Sequence, residues 1–305
     1  VLDAVQPAAR QLRCRVISRR EVLIAAAALL GSGRIAVAVT PRRDVAPQLM
    51  ALEHETGGRL GVAALNLRSG MRLTYRAAER FAMCSTFKLA LAAAVLARVD
   101  AGGVKLGQSV SFTRADLVAH SPVTELHVNE GALPLATMLQ AMIEVSDNTA
   151  ANQLLGIIGG ARAYTDFLRG LGDRTTRLDR IEPALNSNIR GDPRDTTTPS
   201  AMLADMNRLL FGTVLSGQSS ERLITWMRQC SNGQDRLRAR LPAGWRAADK
   251  PGTGEGGAVN DLAVLWAPDG APILVACYMD GSSRSVSELS DAHARIGGLV
   301  AQALI

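Results

Sequence analysis

Apolar positions along the chain change their period three times. Val22 to Leu30 is an unbroken apolar run, Pro47 to Glu55 recurs at helical spacing, and Leu60 to Leu67 with Arg72 to Tyr75 reads as a hairpin turning at Ser69-Gly70. From Thr86 to about Thr225 the pattern is helical, broken by a polar, proline-containing loop between Arg180 and Asp195. Strand signals return at Leu262 to Trp266 and Ile273 to Tyr278, and Leu289 to Ile305 reads as a closing helix. Strand-rich ends around a helical middle predict an α/β fold, in which an antiparallel sheet flanked by helices is built from both ends and an all-helical domain is inserted. The expected boundaries are 39–78 plus 229–305 for the sheet domain and 79–228 for the insert, with the cleft between them as the natural place for a site.

Residues 1–38 are set apart by charge. They hold six Arg against one Asp and one Glu, then the run Val22 to Leu30, then Ala36-Val37-Ala38. Basic start, short apolar middle and small-residue end make an export signal, and Ser18-Arg19-Arg20-Glu21-Val22-Leu23 resembles the twin-arginine type. Nine apolar residues are too few for a membrane span, so a periplasmic or secreted monomer without a lasting membrane anchor is expected.

Removing that segment changes the charge picture. The whole chain has 34 basic and 28 acidic residues, but the remaining 267 carry 28 and 26, which gives no case for nucleic acid. Cys84, Cys230 and Cys277 are too sparse for a disulfide framework. The histidines at 54, 120, 127 and 293 form no ligand-spaced cluster with them, so neither a metal nor a cofactor is expected. Against 31 Arg there are only three Lys, at 88, 105 and 250. A chain that uses guanidinium for general surface charge keeps lysine where a titratable amine matters, because only the amine can lose its proton.

Two of those lysines sit in motifs. Ser85-Thr86-Phe87-Lys88 opens an apolar helical run, and a spacing of three puts hydroxyl and amine on one helix face, within hydrogen-bond reach. The helix start adds free N–H groups beside any oxyanion formed at Ser85, and burial would lower the lysine pKa so that it accepts the serine proton. Alone, Ser-x-x-Lys occurs by chance roughly once per 300 residues. Ser146-Asp147-Asn148 is rarer; Ser146 could relay a proton there while Asn148 holds a substrate amide.

Ser85-x-x-Lys88, Ser146-Asp147-Asn148 and Lys250-x-Gly252, in this order, resemble the three motifs of class A β-lactamases and penicillin-binding proteins. Glu182-Pro183-Ala184-Leu185-Asn186 decides between the branches, because a carboxylate with an amide four residues on can hold and activate one water against an acyl-enzyme. The resemblance then implies an α/β enzyme opening a small β-lactam through an ester on Ser85. Glu182 is the expected deacylation base on an Ω-loop spanning 180–195, Asn186 its partner, and Arg180 with Asp195 the pair closing the loop's neck.

The third motif departs from the pattern. Pro251 stands where the family places a carboxylate-binding Thr or Ser, leaving Lys250 for charge, Gly252 in the motif, Thr253 for an oxyanion-hole N–H and a partly compensating hydroxyl, and Arg236 as a candidate anchor. Proline in a sheet also points to an edge strand. His120 takes the place of a rim aromatic, and Cys84 matches a cysteine that some members cross-link to the position held here by Gly254. The rival readings are a penicillin-binding protein or DD-peptidase, disfavoured by Glu182 and Asn186, and a non-catalytic β-lactam or peptidoglycan binder, suggested only by Pro251.

Overall fold

The structure, a computed structural model, describes residue 1 and residues 44–305, so the expected export signal lies outside the described residues. Helix α1 (Ala46–Thr56) leads into β1 (Arg59–Asn66) and β2 (Arg72–Tyr75), as the hydrophobic pattern predicts. The chain returns to the sheet only at its far end, through β7 (Arg246–Thr253), β8 (Val259–Trp266) and β9 (Pro272–Asp280), and closes with α8 (Val286–Ala303). The five strands lie in the order β2-β1-β9-β8-β7, all antiparallel, and the four short strands between β2 and β7 pair elsewhere.

Pairing of β1 with β9, from Arg59↔Asp280 to Asn66↔Ile273, joins the two ends of the described chain. Every residue of β8 is buried, because the sheet is covered on both faces. Strand alternation divides the apolar side chains between two clusters: Leu60, Val62 and Ala64 pack with Val259, Ala263 and Cys277 under α1 and α8, whereas Ala63 and Leu65 pack with Leu262, Val264 and Tyr278. A slip of one residue in any pairing would exchange those sets, so register is strongly specified.

The second cluster continues into the helices between β2 and β7. These are α2 (Phe87–Asp100), α3 (Leu135–Glu144), α4 (Asn148–Ile158), α5 (Gly160–Gly170), α6 (Pro199–Phe211) and α7 (Gly217–Arg228). All ten residues from Phe87 to Leu96 are buried, so α2 is a core helix, apolar on every side, and its alanines let neighbouring helices approach closely.

The structure corrects three expectations. The stretch from Thr86 to Thr225 is not continuously helical: 101–134 is mostly irregular and carries β4 (Ser109–Ser111), paired with β5 (Ala132–Pro134). A second small pair, β3 (Phe81–Ala82) with β6 (Thr196–Thr197), brackets the loop 180–195. Finally, β7 precedes the strands read from hydrophobicity and escapes that reading because Asp249, Lys250 and Pro251 interrupt its apolar pattern. As an edge strand it tolerates Pro251.

Helix α8 sets the position of the segment between α7 and β7. A methyl group at Gly297 would lie 1.9 Å from the Leu237 carbonyl oxygen, so helix and segment touch backbone to side. Intrinsic propensity favours Gly297→Ala by about 1 kcal/mol, but overpacking typically costs about 1–3 kcal/mol and here meets backbone rather than a movable side chain. The variant is therefore expected to unfold at lower urea concentration than the parent, with an unchanged m-value; a higher midpoint would contradict the close packing.

Candidate active site

Ser85 lies in a 3-10 turn, Cys84–Thr86, that feeds directly into α2. The turn is pressed against β7: a Cβ at Gly252 would come within 3.0 Å of Met83 O, Ser85 N and Thr86 N. Glycine there lets the edge strand approach the Ser85 backbone itself. Asn260 of β8 fixes the turn from the other side, donating from Nδ2 to Ala82 O at 2.9 Å and Met83 O at 3.1 Å.

A cavity of about 240 Å³ opens over Ser85, lined by Ser85, His120, Ser146, Asn148, Asn186, Asn232, Arg236, Pro251, Gly252 and Thr253. Nine of these, Pro251 among them, were singled out from sequence; Asn232 completes the wall. Lys88, Glu182 and Lys250 lie beneath it with 0%, 1% and 0% exposure, so the ionisable groups act on the cavity through dry contacts. Backbone strain concentrates here too. Cys84, His120, Ser146 and Asp195 hold φ of 47°, 60°, 60° and 57°, a left-handed conformation that costs a non-glycine residue about 1–2 kcal/mol.

The Lys88 amine has four acceptors: Ser146 O at 2.8 Å, Ser146 Oγ at 3.1 Å, Asn148 Oδ1 at 2.5 Å and Glu182 Oε1 at 3.2 Å. None is Ser85 Oγ, which corrects the expected Ser85–Lys88 hydrogen bond. Ser85 Oγ faces Glu182 Oε1 instead, at 3.5 Å, long for an O–H···O bond. Burial pushes the Lys88 pKa down, while Glu182 and then Asp147 pull it partly back.

Lys250 approaches from the opposite side, donating to Ser146 Oγ at 3.2 Å and to Pro251 O at 3.0 Å. Burial first, with Lys88 adding its charge, brings its pKa down to about 8. A hydroxyl has two lone pairs and one proton. With an amine on each lone pair, Ser146 keeps its O–H to donate into the cavity. Asp147 braces this corner as the N-cap of α4, accepting from Val123 N and Thr124 N at 2.9 Å and from Ala150 N at 2.8 Å.

The loop carrying Glu182 is closed at its neck by Arg180 Nε on Asp195 Oδ2 at 2.5 Å, and Asp195 also accepts from Asp179 N and Arg180 N. Asn186 Nδ2 donates to Glu182 Oε2 at 2.6 Å, leaving Oε1 turned toward Ser85 and Lys88. Asn152 was missed from sequence. Its amide pairs twice with the Glu182 backbone, N to Oδ1 and Nδ2 to O, both at 3.0 Å. A mid-helix asparagine four residues after Asn148 offers no motif to flag it, although that spacing places both on one face.

At the mouth, Arg236 is buried rather than a surface charge. It donates to Gly252 O at 2.9 Å, Asn260 O at 2.6 Å and Thr253 Oγ1 at 2.6 Å. His120 sits on the exposed rim with Nε2 3.0 Å from Val145 O, and Asn148 Nδ2 donates to Ala119 O at 2.9 Å. Cys84 is a free, buried thiol, and a Cβ at position 254 would fall 2.6 Å from its sulfur. With glycine there the cross-link made by some family members has no second sulfur, as expected from sequence.

A model of the Beta-lactamase enzyme family matches residues 44–304. The β-lactamase CTX-M-97 of Escherichia coli is 43% identical over 257 residues, covering 84% of this chain and 88% of that one. OXY-1 of Klebsiella oxytoca is 40% identical over 290 residues, 94% and 98% of the two chains. An ancestral (GNCA) class A β-lactamase structure superposes with a TM-score of 0.84 at 50% identity, covering 85% of this chain and all of that one. The chain belongs to the class A β-lactamase family. A β-lactamase structure from Burkholderia vietnamiensis, at 46% identity and TM-score 0.81, agrees over 84% of the chain. Among the described residues the class A fold carries no helix long and apolar enough to cross a membrane, and no His, Cys, Asp and Glu cluster able to hold a metal.

Proposed function

We propose that this class A enzyme hydrolyses the β-lactam ring of penicillins and cephalosporins through an ester on Ser85, and so confers β-lactam resistance. The observation that carries the reading is the Glu182 carboxylate, fixed by Asn186 at 2.6 Å with its other oxygen facing Ser85 at 3.5 Å. That spacing suits a water held between carboxylate and acyl carbonyl, the geometry an acyl-transfer enzyme needs for its second half-reaction. A penicillin-binding protein would stop at the ester.

In this reading Ser85 Oγ attacks the lactam carbonyl and passes its proton to Glu182, the base that faces it, with Lys88 as the second base behind Glu182. The carbonyl oxygen becomes an oxyanion between the backbone N–H groups of Ser85 and Thr253. Ser146, its lone pairs occupied by two amines, donates its proton to the departing ring nitrogen, Lys88 replaces it, and Glu182 returns the serine's proton to Lys88 across their 3.2 Å contact, becoming a carboxylate again. Glu182 then draws a proton from the water that hydrolyses the ester. Asn148 holds the side-chain amide and His120 borders it, while Arg180 and Asp195 keep the loop closed.

The substrate carboxylate is held by Lys250 and by the Thr253 hydroxyl. Arg236 donates to Thr253 Oγ1, so that hydroxyl's own proton is free to point at the carboxylate in place of the one Pro251 lacks. The helical insert 79–228 and the sheet portion 39–78 plus 229–305 are read as the two walls of the cleft. Residues 1–38 are read as a twin-arginine export signal delivering a monomer to the periplasm or the exterior, with no cofactor, metal or nucleic acid taking part.

Purified protein is expected to turn over nitrocefin repeatedly, and Ser85→Ala to abolish both turnover and any covalent mass gain with penicillin. An adduct that survives the substitution contradicts the assignment. The Lys250 charge supplies a second test. Below its pKa of about 8 the amine is an ammonium and binds the carboxylate; above it the charge is lost, so kcat/KM should fall on the alkaline side. Lys250→Arg, which stays charged, should move that limb to higher pH; an unmoved limb assigns it to another group.

A further inference from the structure

Behind β7, on the face away from Ser85, lies a buried charged cluster that the reaction does not use. Asp249 of β7 and Asp261 of β8 both have no exposure. The register Asp249↔Ala263 and Pro251↔Asp261 makes them diagonal neighbours on one face of the sheet. Leu237 N donates to Asp261 Oδ2 at 3.2 Å, but Asp261 Oδ1 and both Asp249 oxygens have no hydrogen-bond partner. Arg238 Nη2 lies 3.0 Å from Asp249 Oδ1, close enough for an ion pair but off the line of a hydrogen bond.

Three buried acceptor oxygens without a donor are costly, and two ionised carboxyls side by side in a dry site are costlier. A single shared proton removes one of the two charges and joins two of the three oxygens, with Arg238 beside Asp249 as counterion for the charge that remains. We propose that Asp249 and Asp261 share one proton across the two strands, and that the pair is a positioning element seating Arg236 against β7 with its charge left over for the substrate carboxylate.

Every charged or titratable neighbour fits that count. Burial holds Asp249 up to about 6 and Asp261 well above the carboxylate range, the Asp249 charge adding to the latter, so near pH 7 Asp261 carries the proton and donates to ionised Asp249. Burial keeps His293 of α8 neutral, its pKa near 4, and raises the Cys230 and Cys277 thiols. Asp235 adds a negative charge near Asp249, and Lys250 acts on it from the other face of the strand. Ionised Asp249 has Arg238 as its counterion. Arg236 is then spared a carboxylate and spends its donors on Gly252 O, Asn260 O and Thr253 Oγ1, the edge that meets the substrate. A second negative charge beside its unpartnered Nε would draw the guanidinium back from that edge.

The kinetic arm of the test rests on the β-lactamase reading above; the spectroscopic arm does not. Infrared spectra of the full chain labelled with ¹³C-aspartate should contain a carboxylic-acid C=O band at pH 7 that Asp261→Asn removes. Asp205, held up to about 8 chiefly by burial, contributes a separate band, identified by its loss in Asp205→Asn. No loss of a band in Asp261→Asn overturns the shared proton, whatever the enzyme turns over. In kinetics, the amide introduced by Asp261→Asn would donate to Asp249 and accept from Leu237 N, so this variant should keep the benzylpenicillin KM within about threefold. Asp261→Ala should raise KM about tenfold while kcat changes less than about threefold. Should the alanine variant not fold, a roughly tenfold KM rise in Asp261→Asn alone overturns the positioning role, as does a loss confined to kcat in either variant.

Discussion

Two lysine amines without access to water meet at one hydroxyl oxygen. Lys88 arrives from α2 and Lys250 from β7, at 3.1 and 3.2 Å from Ser146 Oγ, and the rest of the site is arranged to make that juncture tolerable. Each ammonium taken from water costs several kcal/mol after relaxation, and a like charge nearby adds to it. The molecule answers with acceptors: Ser146 O, Asn148 Oδ1 and Glu182 Oε1 around Lys88, and Pro251 O beside Lys250. The burial is useful chemically, because it leaves both amines holding their protons less tightly than a solvated lysine, with the Lys88 charge adding to the effect at Lys250.

Holding two such groups in place requires rigid supports on both sides. On the helical side α2 is buried from Phe87 to Leu96 and cannot turn without disturbing the core. On the sheet side, β7 is clamped by eight register pairs to β8, and Gly252 allows it to touch the Ser85 turn. The Glu182 loop is the third wall, held by Arg180–Asp195, by the two bonds with Asn152, by Leu185 buried in the core and by Glu255 N donating to Asn186 O at 2.9 Å.

Much of this was legible in the sequence, and the gaps have physical causes. The α/β class and the sheet built from both ends followed from the apolar period, and the grouping of Ser85, Lys88, Ser146, Glu182, Asn186 and Lys250 from the resemblance of their motifs to those of class A β-lactamases. Strand β7 was obscured because an edge strand serving a site carries Asp249, Lys250 and Pro251 where a core strand carries valines. The irregular stretch 101–134 was mistaken for helix because its scattered apolar residues have no clear period. Side-chain pairing was the least legible. Spacing placed Lys88 near Ser85, but three better acceptors, Ser146 O just before α4, Asn148 Oδ1 at its start and Glu182 Oε1 on the loop, take its protons, and those come from distant sequence. Arg236 stood out as a candidate anchor, but nothing in the sequence showed the three acceptors on β7 and β8 that hold it inside.

The account makes Glu182 the base for the second half-reaction, and trapping the ester tests this directly. Glutamine at 182 keeps the shape and the bond to the loop but cannot take a proton, and a positioned base contributes about 10²- to 10⁴-fold. Intact-protein mass spectra of Glu182→Gln mixed with benzylpenicillin should show one persistent equivalent of adduct mapping to Ser85, with steady-state hydrolysis lowered by at least about a hundredfold. Unchanged hydrolysis with no accumulated adduct would contradict the account.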